Sequence, residues 1–308
     1  MLQQTRVATV VPYYERFLAT FPTVSSLAEA PLERVLELWS GLGYYRRARM
    51  LHRGARDVRD SFDGALPREP SELQSISGVG RYTAGAIASI AFDVPAPIVD
   101  GNVARVLSRF DALDADPASP AGRGALWSRA EALAAGEAPG DLNQALMELG
   151  ATVCTPKAPA CAACPLARAC RGRSRAEELP RVAKKSAPRA IALRALVVEH
   201  RGAILLGRRR EDALYGGLWE PPFVDDVSGA TLRGRIVHVL THRRLEIDVF
   251  YKRAARAPKM RPFGDYERFE RVPRDAIASR AVSTLARRVL ALVEEGERLN
   301  RKVRRSEG

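Results

Sequence analysis

All four cysteines of the chain fall within one short stretch, CTPKAPACAACPLARAC, with the spacing C-x6-C-x2-C-x5-C. They are Cys154, Cys161, Cys164 and Cys170. Zinc and iron–sulfur clusters both accept four thiolates, and disulfides are disfavoured where the compartment keeps thiols reduced. Zinc ribbons usually pair two C-x2-C motifs, whereas this stretch has one such motif and two longer arms. The spacing therefore favours a [4Fe–4S] cluster over zinc, with disulfides third.

Basic residues surround the cysteines, at Lys157, Arg168, Arg171 and Arg173. An electron-transfer centre does not require them. A cluster that folds a basic loop against nucleic-acid phosphates accounts for both features, so a structural role is the preferred interpretation.

A second candidate site is the turn in SISGVGRYTAGAIASIAF, where Gly78, Val79 and Gly80 precede an apolar helix that begins at Arg81. Two glycines allow a sharp turn and a close approach to another surface, and the next helix leaves amide N–H groups pointing outward. A plain turn between helices is the alternative. The helix that follows and the positive charge of the chain favour a helix-hairpin-helix that holds a phosphate.

Asp100 begins a predicted helix in PIVDGNVARVLSRF. Aspartate is a favoured N-cap, and capping alone would explain its position. Capping is compatible with chemistry, because a carboxylate fixed by its own backbone can still face a bound sugar.

The patterning around these sites predicts two domains. Helical periodicity with Gly and Pro at the joints runs to about Val153, and short alternating or β-branched runs follow a basic stretch. The predicted order is an all-α domain, the cysteine loop, an exposed basic linker, an α+β domain and a basic tail, over residues 1–153, 154–170, 171–189, 190–297 and 298–308.

The composition indicates a polyanionic partner. The chain has 308 residues and a net charge of +13, which attracts nucleic acid, although an Arg-rich solvated surface gives the same value. No apolar run reaches the roughly 18 to 20 residues of a membrane span, and no signal peptide is visible, so a cytoplasmic, nucleoid-associated location is expected.

Several segments, in order, resemble one family: MLQQTRVATVVPYYERFLATFPTV, LWSGLGYYRRARMLH, ISGVGRYTAGAI, VDGNVARVLSR and LNQALMELGATVCT with the cysteine loop. The chain resembles the A/G-specific adenine DNA glycosylases (MutY-type) of the helix-hairpin-helix, Gly/Pro…Asp superfamily over nearly its whole length. The resemblance implies an all-α glycosylase domain with an iron–sulfur loop, then an α+β Nudix-like domain. It also implies excision of adenine mispaired with 8-oxoguanine or guanine in double-stranded DNA, during base-excision repair. A monomer is the default expectation, because the sequence shows no signal for an oligomer.

The resemblance also assigns roles to residues. Asp100 matches the aspartate that stabilises the oxocarbenium-like sugar, and Tyr82 and Asn102 match positions that support it. Related endonuclease III enzymes carry a Schiff-base lysine where this chain has Tyr82, so strand cleavage by an imine is not expected. The residues matched to DNA contact or 8-oxoguanine recognition are Gln4, Thr5, Leu42, Tyr44, Gly78, Val79, Gly80, Thr241 and His242.

Three departures from the family stand out. Ser77 replaces the usual proline of the hairpin, which predicts a looser turn. The C-terminal domain lacks the Gly…Glu…Arg-Glu…Glu-Glu signature of Nudix hydrolases, so diphosphate hydrolysis is not expected. The chain also opens inside a helical pattern at MLQQT without a capping residue, where the family has a general-acid glutamate two residues before Met1. We expect either that the start is assigned too late, at an internal Met, which is the favoured interpretation, or that the N-terminus is truncated. Excision by the chain as written is expected to be impaired.

Two other functions remain open at this point. A protein truncated by descent could bind the lesion mispair without excising adenine. A redox protein built around the cluster predicts a reversible potential and no affinity for duplex DNA.

Overall fold

The computed structural model describes Met1, Thr5 and residues 7–183, 187–240 and 242–306, the last ten of these by backbone only. Its contacts divide the chain into two compact units. The first unit joins Met1–Arg56 to Ser186–Gly308, and the second unit is Asp57–Lys185. The predicted class, a helical region followed by an α+β region, is confirmed.

The N-terminal part of the first unit is a set of short helices, α1 (Val7–Thr20), α2 (Val24–Glu29), α3 (Leu32–Trp39) and the start of α4 (Arg46–Ser61). Phe17 of α1 packs edge-on against Phe21 and Trp39, at ring-centroid distances of 5.0 and 6.2 Å. The helix begins at Val7 rather than at Met1, whose carbonyl oxygen accepts a hydrogen bond from Arg47 Nη1 at 2.9 Å.

The C-terminal part of the first unit is a mixed sheet covered by a helix. Its strands are β1 (Arg189–His200), β2 (Ala203–Arg209), β3 (Trp219–Glu220), β4 (Thr231–Val239), β5 (Arg243–Arg253) and β6 (Tyr266–Pro273). The order is β3-β2-β1-β5-β4, with β6 also paired to β2; β1 and β5 run parallel, and the other pairs of these strands are antiparallel. Helix α10 (Thr284–Ser306) packs its buried face on the sheet and continues through most of the segment predicted as a tail.

One core joins these two parts. Leu218 and Ala281, from the C-terminal part, are fully buried in the core of α1–α4. Trp219 Nε1 donates a hydrogen bond to Glu33 Oε1 at 3.0 Å, and Ser40 Oγ donates to the carbonyl oxygen of Val282 at 2.9 Å. These contacts explain why residues 1–56 cluster with the sheet, although the helical pattern of the sequence continues unbroken from them.

The second unit holds the remaining helices, α5 (Pro70–Ser75), α6 (Arg81–Ala86), α7 (Gly101–Phe110), α8 (Pro120–Ala134) and α9 (Pro139–Thr152). A π-helical turn, Ile87–Ala91, extends α6. The apolar faces of α7, α8 and α9 meet in one core. The cysteine loop follows α9 directly.

The segment predicted as an exposed linker is partly packed. The amides of Arg171 and Gly172 donate hydrogen bonds to the carbonyl oxygens of Phe110 and Arg109, at 3.0 and 2.8 Å. Leu179 is 2% exposed. Residues 171–180 therefore belong to the second unit because they satisfy the C-terminal carbonyls of α7, and the exposed part of the linker begins after Pro180.

None of the helices described is both long enough and apolar enough to cross a membrane.

Candidate functional site

Asp100 is the N-cap of α7. Its Oδ1 accepts a hydrogen bond from the amide of Val103 at 2.7 Å, which confirms the predicted cap. The side chain is half-buried, so a second carboxylate oxygen is available beside the cap. The backbone therefore fixes the position of this carboxylate before any ligand binds.

Tyr82 lies within electrostatic range of this carboxylate. Burial, and then the negative charge of Asp100, raise the pKa of the Tyr82 phenol. Its hydroxyl points to Met147 Sδ at 3.2 Å. The phenol is therefore neutral at physiological pH, so it adds no second negative charge beside Asp100.

Asn102 is held by an arginine that connects three elements. Arg105 Nη2 donates to Asn102 Oδ1 at 2.8 Å and to the carbonyl oxygen of Gly150 at 2.6 Å. Arg105 Nε donates to the carbonyl oxygen of Cys154 at 2.7 Å. The first turn of α7 is thereby tied to the last turn of α9 and to the start of the cysteine loop.

Gly150 lets α9 approach the site closely. A Cβ at this position would lie 2.7 Å from Asn102 Cβ and 3.0 Å from the Asn102 carbonyl oxygen. We expect Gly150→Ala to push the first turn of α7 away, at a cost of about 1 to 3 kcal/mol in the free energy of unfolding. Chemical denaturation measures this cost, with Gly124→Ala as the control because a Cβ there meets only open space. Equal unfolding free energies for the two variants would contradict the expectation.

The hairpin at Gly78–Gly80 leads into α6. Gly78 has a φ of +85°, which favours glycine, and the amide of Val79 donates to the carbonyl oxygen of Ile76 at 3.0 Å. Gly78 and Gly80 are exposed, and Gly80 supplies no side chain to cap α6. A Cβ at Gly85 would overlap the carbonyl oxygen of Pro97. The hairpin helix therefore packs on the backbone that leads to Asp100, so the structure brings these two predicted sites together.

The four cysteines are free and half-buried. Burial is the largest cause that raises the pKa of the Cys170 thiol, and the charges of the other three thiols raise it further. In the parts of the chain that the structure describes, no three His, Cys, Asp or Glu side chains are grouped to hold one metal ion. Four cysteine thiols in one loop form a donor set that a [4Fe–4S] cluster and a zinc ion both accept.

Arg109 organises the backbone of the cysteine loop. This side chain is 2% exposed and donates hydrogen bonds to the carbonyl oxygens of Thr155 and Leu179, at 2.7 and 2.8 Å. Its Nη1 also lies 3.3 Å from Cys154 Sγ. Arg105 and Arg109 are functional residues that the sequence did not predict, because the positive charge of the chain was attributed to nucleic-acid contact. The available signal was their position, one turn apart in the otherwise apolar helix VARVLSRF.

The residues of the first unit that match DNA-recognition positions differ in their exposure to solvent. Leu42 is 6% exposed within the helical core, whereas Tyr44 is 53% exposed with a φ of +48°. The guanidinium of Arg47 lies 5.2 Å from the Tyr44 ring centroid and donates to Thr5 Oγ1 at 3.1 Å. The structure thus brings Thr5 and Tyr44 together, and Gln4 lies outside the described residues.

The β4–β5 connection carries the other predicted recognition residues. His242 is exposed, and its carbonyl oxygen accepts a hydrogen bond from the amide of Arg189 at 3.2 Å. Thr241 lies outside the described residues. Tyr82, Asp100, Asn102, the hairpin and the cysteines belong to the second unit, and the described recognition residues belong to the first.

Comparison with known proteins gives the family. Residues 1–131 match the HhH-GPD superfamily base excision DNA repair proteins, and residues 194–292 match the NUDIX domain. The adenine DNA glycosylase of Homo sapiens is 43% identical over 272 residues, which cover 73% of this chain and 50% of that protein. The Mus musculus adenine DNA glycosylase is 44% identical over 270 residues, 73% of this chain and 52% of that one.

The chain spans about half the length of the curated relatives it matches. Among solved structures, a thermostable thymine-DNA glycosylase is similar with a TM-score of 0.50 and 27% identity, over 56% of this chain and 80% of that one. One chain thus combines the helical hairpin, the capped aspartate, the four-cysteine loop and the sheet domain with extensive identity to these relatives. The chain therefore belongs to the adenine DNA glycosylase family of the helix-hairpin-helix base-excision repair superfamily.

Proposed function

We propose that this protein removes adenine from DNA by hydrolysing its N-glycosidic bond, where adenine is mispaired with 8-oxoguanine or guanine. The observation that carries the proposal is the carboxylate of Asp100, fixed as a helix cap beside a neutral Tyr82. The named relatives are adenine DNA glycosylases, which supports the choice of base.

The residues act on a nucleotide that has left the base stack, because an enzyme cannot reach the glycosidic bond inside a duplex. As that bond breaks, its electron pair leaves with adenine and positive charge develops on the sugar, and water then supplies a hydroxyl to the sugar and a proton to the departing adenine. The fixed negative charge of Asp100 stabilises the positive charge on the sugar without reorganisation. Asn102, restrained by Arg105, borders the carboxylate on the same helix turn. Tyr82 cannot form an imine, so the reaction leaves the DNA backbone intact.

The other predicted sites position the duplex in this proposal. The turn of Gly78, Val79 and Gly80, whose two glycines are exposed, holds a phosphate at the start of α6. Tyr44 fills the gap in the base stack, and His242 with Thr241 reads the oxidised guanine. Leu42 is buried, so a contact between Leu42 and DNA requires its loop to move.

A single-turnover assay on a duplex with one adenine opposite 8-oxoguanine tests the proposal. Release of free adenine that is measurably faster than from an A:T duplex, even at a low absolute rate, is the expected result. Selective binding of the mispair without adenine release would instead favour the alternative, a lesion-binding protein that does not excise. A chain that neither releases adenine nor binds the mispair selectively would contradict both the glycosylase and the lesion-binding function.

The four cysteines, Cys154, Cys161, Cys164 and Cys170, are proposed to hold a [4Fe–4S] cluster. When bound, the cluster fixes the fold of the loop between α9 and residues 171–180. Protein purified under anaerobic conditions should contain about four iron and four sulfide per chain. We expect Cys164→Ser to lose most of this iron. Stoichiometric zinc in place of iron would contradict the assignment.

Duplex DNA is the proposed partner, bound by a monomer in the cytoplasm at the nucleoid. The net charge of +13 supports binding through phosphates. The dissociation constant should therefore rise steeply with salt concentration. A redox protein without duplex affinity would show no such dependence.

A further inference from the structure

We propose that Asp57 is a positioning residue that braces the hairpin at Ser77–Gly80 for DNA binding. Asp57 lies in the last turns of α4, and its Oδ2 accepts a hydrogen bond from the backbone amide of Ser77 at 2.7 Å. Both residues belong to the second unit and both are half-buried. The brace rests on the proposed function in one respect, that the hairpin binds duplex DNA.

Ser77 is the reason that a brace is needed. A proline at this position would restrict φ and carry no amide hydrogen. Serine restores the conformational freedom and also adds a donor that must be satisfied. The short hydrogen bond from the Ser77 amide to the Asp57 carboxylate satisfies this donor and also restrains the backbone of Ser77. It can do so because charge-assisted hydrogen bonds are shorter and stronger than neutral ones. The turn is therefore less loose than the serine alone predicts.

The bond fixes the residue that enters the turn. Ile76, directly before Ser77, is buried, and its carbonyl oxygen accepts the bond from Val79 that closes the turn. Gly78 and Gly80, directly after Ser77, are exposed. Anchoring the Ser77 amide therefore restrains the exposed peptide groups that the proposed function assigns to phosphate binding.

The hydrogen bond of Asp57 is expected to strengthen DNA binding, whereas its negative charge is expected to weaken it. A carboxylate near a bound phosphate repels it, so removing the charge alone raises the affinity for DNA. Asp57→Asn removes the charge and keeps an acceptor oxygen, whereas Asp57→Ala removes both. The comparison of these two variants isolates the hydrogen bond.

The experiment is a double-mutant cycle on the full chain. We measure the dissociation constant of an undamaged duplex for Asp57→Asn and Asp57→Ala, each with Ser77 and with Ser77→Pro. With Ser77, the alanine variant should bind about 3- to 10-fold more weakly than the asparagine variant, the effect of one hydrogen bond. With Ser77→Pro the two should bind equally, because no amide hydrogen remains to be held.

Asp60→Ala is the matched control, since it removes an exposed carboxylate from the same helix. It should bind the duplex at least as well as the unchanged chain. Unfolding midpoints of all variants show whether a weaker affinity reflects general loss of stability. Equal affinities of Asp57→Asn and Asp57→Ala with Ser77 present would overturn the proposal, as would a difference that persists with Ser77→Pro.

Hydrogen exchange at the Val79 amide provides a readout without DNA. With Ser77 present, exchange should be about 3- to 10-fold faster in Asp57→Ala than in Asp57→Asn, and equal exchange would overturn the brace. If the unchanged chain fails to bind any duplex, the proposed function is contradicted, and this measurement still decides whether Asp57 braces the hairpin.

Discussion

Asp100→Asn should lower the single-turnover rate of adenine release by about 100- to 1,000-fold or more. The substitution keeps the shape of the side chain and an oxygen that can accept the hydrogen bond from Val103. Asparagine is also as good an N-cap as aspartate. The variant therefore lacks only the negative charge that stabilises the developing cation on the sugar.

The measurement separates chemistry from folding. Thermal unfolding and the dissociation constant for the mispair should change little in Asp100→Asn. Asp100→Ala is the comparison variant, because it loses the cap as well and should be destabilised by about 1 kcal/mol. Undiminished adenine release by the asparagine variant would remove Asp100 from the proposed mechanism.

The sequence predicted those features whose physical cause is local. The cap at Asp100 and the turn at Gly78 each depend on residues within a few positions of one another. The helical and α+β regions were predicted from the spacing of apolar residues. The buried face of α7 and the alternating burial along β5 show the same spacing in the structure. Such features do not depend on contacts with residues that are distant in the sequence.

Features that depend on distant contacts were not predictable from the sequence. The packing of residues 1–56 with the C-terminal part depends on pairs such as Trp219 with Glu33, which no sequence period marks. The same is true of Leu179, whose burial removes residues 171–180 from the predicted linker. Leu42 and Tyr44 are two positions apart in one loop and differ in exposure because of the core beneath it.

The arginines of α7 show why net charge is an incomplete guide. A net charge of +13 suggests surface arginines for DNA, yet Arg105 and Arg109 donate inward to backbone carbonyls. Basic residues thus have two roles in this chain. Some contribute to the net positive charge of the chain, and others connect α7 to the cysteine loop.

The structural role of Arg109 leads to the largest expected loss of stability. Arg109→Ala removes a side chain that is 2% exposed and leaves the carbonyl oxygens of Thr155 and Leu179 without these donors. Each buried acceptor without a partner costs about 1 to 3 kcal/mol, so we expect a loss of about 3 to 5 kcal/mol in the free energy of unfolding. Arg109→Lys keeps the charge but not the planar fork, and should recover only part of this loss.

Chemical denaturation measures the effect, and iron content measured on the same samples reports the state of the cysteine loop. The matched control is Arg129→Ala, because Arg129 is partly exposed and pairs with Asp111 at 3.0 Å. A surface ion pair of this kind contributes about 0 to 1 kcal/mol, so the control should stay close to the unchanged chain and keep its iron. If Arg109→Ala matched this control in both stability and iron content, the hydrogen bonds of Arg109 would not be what holds the cysteine loop to α7.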